Sequence, residues 1–89
     1  METTIDRAIK GMARPNRRNR INTEPCWITI VDIDGTYMEW ILYDGEQVIA
    51  RDNSNMELLE PVYARELYIE ITSDDVLPYT VTVTRAKEF

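Results

Sequence analysis

The 89-residue chain has no histidine, a single cysteine and three glycines, and no apolar run near the roughly 18 residues that span a bilayer. Each absence removes a class of chemistry. Without histidine, a Ser-His-Asp triad cannot be built, and with one cysteine a zinc site lacks its usual ligands. Cys26 cannot form an internal disulfide, which fits a reducing compartment. The first twenty residues, METTIDRAIKGMARPNRRNR, carry acids at once and no apolar core of a secretory signal. The expectation is a cytoplasmic or virion protein that meets no membrane, needs no cofactor or metal, and is not an enzyme.

What is present is an ordinary globular composition, 44% hydrophobic and 29% charged. A chain this short buries only about 60–65% of its unfolded surface, so a deep, enclosed site is not expected. Its net charge of −6 is unevenly spread. Residues 1–25 hold six bases (Arg7, Lys10, Arg14, Arg17, Arg18, Arg20) against three acids, whereas residues 26–89 hold four bases against thirteen acids. We therefore divide the chain into an N-terminal helix and basic arm, 1–25, and an acidic antiparallel β-domain, 26–89. In the first part, Ile5, Ala8, Ile9 and Met12 recur at helical spacing and Gly11 suits a helix end, which predicts a short helix over 4–10 anchored by Ile5, Ile9 and Met12. Pro15 and Pro25 bracket a polar stretch without period, which reads as an extended arm.

After Pro25 the period becomes two. Strands are expected over 27–33, 37–43, 47–51, 66–72 and 79–85. Ile28 and Ile30 fall on one face of the first, and Trp27, Val31 and Ile33 on the other. Leu67, Ile69 and Ile71, and likewise Tyr79, Val81 and Val83, line single faces. Asp34-Gly35 and Asp44-Gly45 are hairpin signals that make a meander of the first three strands. The stretch RDNSNMELLEPV reads as a loop or a turn of helix, limited by Pro61. The expected fold is mainly β, a small antiparallel sandwich or barrel of about five strands. Trp27 and Trp40 are expected in the core, and Cys26 as a small buried residue.

The run IVDIDGT resembles the first motif of the haloacid dehalogenase-like phosphotransferases. That resemblance implies Asp32 as a phosphoryl-accepting nucleophile, Asp34 as general acid and base, and Mg²⁺ between them. It covers about seven residues. The family also needs a lysine and a later acidic pair on a parallel sheet with crossover helices. Ser73-Asp74-Asp75 imitates the pair, but Lys10 precedes the motif and Lys87 ends the chain. The glycine also comes too early after Asp32 for an EF-hand. The residues read as a turn.

Arg14, Arg17, Arg18 and Arg20 are then the contact residues, since guanidinium forks match carboxylate and phosphate bidentately. The expected function is a non-enzymatic structural or assembly protein. In build it looks like the small accessory proteins that decorate or cement a phage capsid, its arm gripping a neighbouring subunit, so that the chain is oligomeric or part of an assembly. The alternative is an inhibitory binding module, for example phage-encoded, whose acidic face of Glu57, Glu60, Glu66, Glu70, Asp74 and Asp75 occupies the nucleic-acid site of a host protein. RNA binding through the arginines is more remote. A base-stacking sheet needs bases interleaved with Tyr37, Tyr43, Tyr63 and Tyr68, where Glu39, Glu66 and Glu70 sit instead.

Overall fold

A computed structural model describes residues 6–34, 39–53 and 56–84. Among them are eight strands: β1 (Asp6–Ala13), β2 (Asn19–Arg20), β3 (Cys26–Ile33), β4 (Glu39–Asp44), β5 (Gln47–Asp52), β6 (Met56–Ala64), β7 (Leu67–Thr72) and β8 (Leu77–Thr84). They form two four-stranded antiparallel sheets, ordered β1-β8-β3-β6 and β2-β7-β4-β5. Asp6 faces Thr84, Asn19 faces Ile69, Cys26 faces Ala64, Trp40 faces Asp52 and Asp44 faces Gln47. The chain is thus one long hairpin, closing on the turn at Gly45 and rolled so that successive pairs alternate between the sheets. That is the jelly-roll arrangement.

The alternation of apolar residues dictates which face turns inward. Trp40 and Leu42 of β4, Leu67, Ile69 and Ile71 of β7, and Val81 of β8 are all buried. They meet Ile28, Val31 and Ile33 of β3 in one core shared by both sheets. Each such side chain contributes about 1.5–3 kcal/mol by leaving water. β3 keeps three aliphatic residues inside because it carries a bulge. Ile28 pairs with Val83 and Ile30 with Thr82, which leaves Thr29 as an extra residue whose hydroxyl donates to the Thr82 carbonyl. The bulge shifts the phase, so Ile28 and Val31 both point inward and Ile30 is exposed. The expected pairing of Ile28 with Ile30 on one face is corrected accordingly.

The N-terminal helix does not form. Residues 6–13 are β1, paired residue for residue with β8. Ile9 packs against the core, whereas Met12 is 57% exposed and anchors nothing; Ile5 lies outside the described residues. Gly11 is needed because the Tyr79 ring lies over it: an added Cβ would sit 2.5 Å from the Tyr79 oxygen. The segment expected to be an extended arm turns at residues 16–17 and enters the second sheet as β2, with Ala13 and Ile21 both buried in the common core.

Two further expectations change. The stretch read as a loop holds the end of β5 and most of β6, where Pro61 sits in the interruption between the pairs Ile28–Val62 and Ile30–Glu57 and so breaks no ladder bond. The meander is replaced by a crossing, because β3 pairs with β6 and β8 and the chain changes sheet before β4. The second hairpin signal does close β4 on β5 with a two-residue turn. Gly45 takes φ +64 at its first position, as a type II′ turn requires.

Candidate functional site

The four arginines lie on one short turn and the strand that follows it. Asn19 builds that turn. Its side-chain oxygen accepts from the Arg14 amide at 3.0 Å, and its side-chain nitrogen lies 3.0 Å from the Arg14 and Arg17 carbonyls and 3.1 Å from that of Ile69. Asn16 takes φ 60, a left-handed conformation that asparagine tolerates. Its amide donates to the Ile71 carbonyl at 2.8 Å and its side chain to the Ser73 carbonyl at 3.2 Å. Both asparagine side chains are thus spent on the protein's own backbone.

The turn sets Arg18 and Arg20 against the outer face of the second sheet. Tyr43 of β4 and Tyr68 of β7 are register partners there. The Arg18 guanidinium lies 5.5 Å from the centre of the Tyr43 ring and 5.3 Å from that of Tyr68, and Arg20 lies 5.9 Å from Tyr68. Arg18 also donates to the Gly45 carbonyl at 2.7 Å. Such cation–π contacts are worth about 0.5–1 kcal/mol each at exposed sites. Arg14 and Arg17 are exposed beside them.

The hairpin beneath is also held by the turn that leads into β7. An Asp44 carboxylate oxygen accepts from the amides of Arg65 and Glu66 at 3.1 and 3.0 Å, and the Gly45 amide donates to the Glu66 carbonyl at 2.8 Å. Tyr43 donates its phenol proton to Glu70 at 2.7 Å, and this bond, followed by burial, raises its pKa. Glu39 and Arg51 make an exposed ion pair at 2.6 Å. The patch therefore presents arginine cations over tyrosine rings with Glu70 already engaged.

The residues of the expected acidic face are distributed over β6, β7 and the turns that flank β7, where Asp75 follows Asp74. Glu66 and Asp74 lie beyond opposite ends of β7, Glu70 is half-buried under Tyr43, and Glu60 is on a strand of the other sheet. Glu57 is placed through its backbone alone, its side chain lying outside the described ones. Asp32 is exposed on β3 opposite Thr80, and the Asp34 amide donates to the Pro78 carbonyl at 3.0 Å. Among the described residues no three acidic or cysteine side chains gather as a metal site. The antiparallel roll also differs from the parallel sheet that the phosphotransferase resemblance implies.

Elsewhere, Arg7, Thr23, Glu24, Pro25, Cys26, Val83 and Thr84 line a cleft of about 240 Å³. Cys26 is buried within it, as expected, and burial raises its thiol pKa. Trp27 packs edge-on against the exposed Tyr63 at 5.2 Å on the first sheet, half-buried rather than in the core, while Trp40 is fully buried.

The sequence displays the arginine cluster but not the tyrosines over which Arg18 and Arg20 lie. The signal available was the pair of tyrosines at outward positions of two strands, which needed the β4–β7 register to become one surface. No protein-family profile, no characterised protein and no solved structure matches this chain.

Proposed function

We propose that this chain is a non-enzymatic assembly protein, a capsid decoration or similar virion accessory domain, whose arginine patch meets an acidic surface on another subunit. Arg18 carries the reading. Held over Tyr43 and Tyr68 and bonded to Gly45, it offers its charge from a fixed position, so docking has less side-chain ordering to offset than a free arm would. The remaining charge balance supplies the complement, because residues 26–89 carry thirteen acids against four bases. Jelly rolls serve in viral capsids, lectins and cupins alike, so the fold agrees with this reading without selecting it.

The test is the solution mass of the purified chain by light scattering at low and at about 0.5 M salt, where the Debye length falls to roughly 4 Å. Species larger than a dimer should form at low salt, dissociate at high salt, and be absent from an Arg17→Glu, Arg20→Glu variant. Identical masses at both salts for parent and variant would remove the self-complementary form of the proposal.

A second reading, contact with single-stranded RNA, gains support from the same geometry, since Arg18 and Arg20 bring to the tyrosines the cations that the strands themselves lack. Fluorescence anisotropy with a labelled oligonucleotide tests it. Salt-dependent binding lost in the same variant would favour RNA over an acidic protein surface.

A further inference from the structure

The four outermost strands are not equally protected. β2 has two residues, β6 is broken by a long register shift and carries Pro61, and β5 bulges against β4 between the pairs Leu42–Ala50 and Tyr43–Val48. Short strands, prolines, bulges and charged side chains are the devices that keep sheet edges from pairing with other chains. β1 has only the last, at Arg7 and Lys10, and is neither short, broken nor bulged. It runs eight residues with an unbroken register to β8 on one side, and among the described residues no strand pairs with its other side.

Its sequence, DRAIKGMA, also contains its own complement. If a second β1 is laid antiparallel about a two-fold axis at Ala8, position 6 of each copy stands opposite position 10 of the other. The register position of Asp6 then stands opposite that of the second copy's Lys10 twice, and Ala8 opposite itself. Moving the axis to Ile9 sets Asp6 against Met12 and leaves both charges unmatched. Opposite charges directly across a pair of antiparallel strands stabilise it, so the charges select the Ala8 register. Ala8 and Lys10 are exposed, and the neighbouring Met12 is an uncovered apolar side chain.

We infer that β1 pairs with β1 of a second copy, joining two first sheets into one continuous eight-stranded sheet about a two-fold axis. The interface is isologous and closed, so it yields a dimer and not a filament. It deepens the assembly reading by naming one partner, yet it uses the first sheet and backbone hydrogen bonds, whereas the arginine patch lies on the second sheet.

The experiment is sedimentation equilibrium at about 0.5 M salt, where patch contacts are screened and the strand ladder remains. The parent should be a dimer. Lys10→Glu places like charges opposite each other twice, and should weaken the dimer about tenfold or more. Asp6→Lys with Lys10→Asp exchanges the two signs and should restore it. Far-UV circular dichroism confirms that each variant is folded. A parent that stays monomeric at millimolar concentration overturns the inference, as does a dimer unmoved by Lys10→Glu or not restored by the exchange. None of these outcomes depends on Arg17 or Arg20, so failure here is separable from failure of the patch.

Discussion

Replacing Gly11 with alanine tests the registration of β1 on β8 at one atom. In an ordinary strand the change relieves glycine's extra backbone entropy and stabilises by roughly 0.5–1 kcal/mol. Here the new Cβ would meet the Tyr79 oxygen at 2.5 Å, Cζ at 2.7 Å and Cε2 at 3.0 Å. Tyr79 is only 8% exposed, so the ring must move as a body within the core. Overpacking of this kind costs about 1–3 kcal/mol, which exceeds the entropic gain. The expected net loss is about 1–2 kcal/mol, a fall in Tm of roughly 5–15 °C for a domain of this size. Thermal unfolding followed by far-UV circular dichroism measures it. The same change made in a Tyr79→Leu background should cost little or nothing, since the clashing atoms are gone. A raised Tm for Gly11→Ala, or an equal cost in both backgrounds, would refute the placement of β1.

Other positions give further expected outcomes. Asn19→Ala removes the side-chain bonds that shape the arginine turn; about 1–3 kcal/mol of stability should be lost in urea denaturation, with faster amide exchange at Arg14 and Asn16. Ile69→Ala empties the middle of β7 and should cost about 2–5 kcal/mol by the same assay. Tyr43 holds its proton more tightly when folded, because of its bond to Glu70. The unfolded chain therefore ionises there first, and stability present below about pH 10 should decline as pH rises beyond it. Glu70→Gln should lower the Tyr43 pKa towards its ordinary value, as read by ultraviolet titration of the phenolate.

Five strands were legible because their apolar residues alternate and β-branched residues fill them: Ile69 and Ile71, Val81 and Val83, and Trp40 with Leu42 carry that signal unaided. β1 was not, since its inward positions include Gly11 and Ala13, residues too small to mark a face, while Ala8, Ile9 and Met12 imitate a helical stripe. β6 was hidden by Pro61 and by a register shift that suspends its alternation. β2 is too short to have a period at all. Asp34-Gly35 carries the same local signal as Asp44-Gly45, yet only the second closes a hairpin between neighbouring strands, because pairing depends on partners far along the chain. The site suffered the same limit. Four clustered arginines are plain in the sequence, but the seat of Arg18 and Arg20 on Tyr43 and Tyr68 exists only once β2, β7 and β4 lie side by side.

The nesting of strand pairs also sets the order in which they can close during synthesis. The innermost pair, β4 with β5, can close as soon as it emerges, but β1 must wait for β8, roughly 60 residues later and about 3–12 s at ordinary ribosomal speed. Through that interval both β1 and β3 lack the strand that will lie between them. The nascent chain thus carries two uncovered edges until its final strand arrives, so a ribosome paused before residue 77 would hold a protein open to pairing with its neighbours on the same messenger.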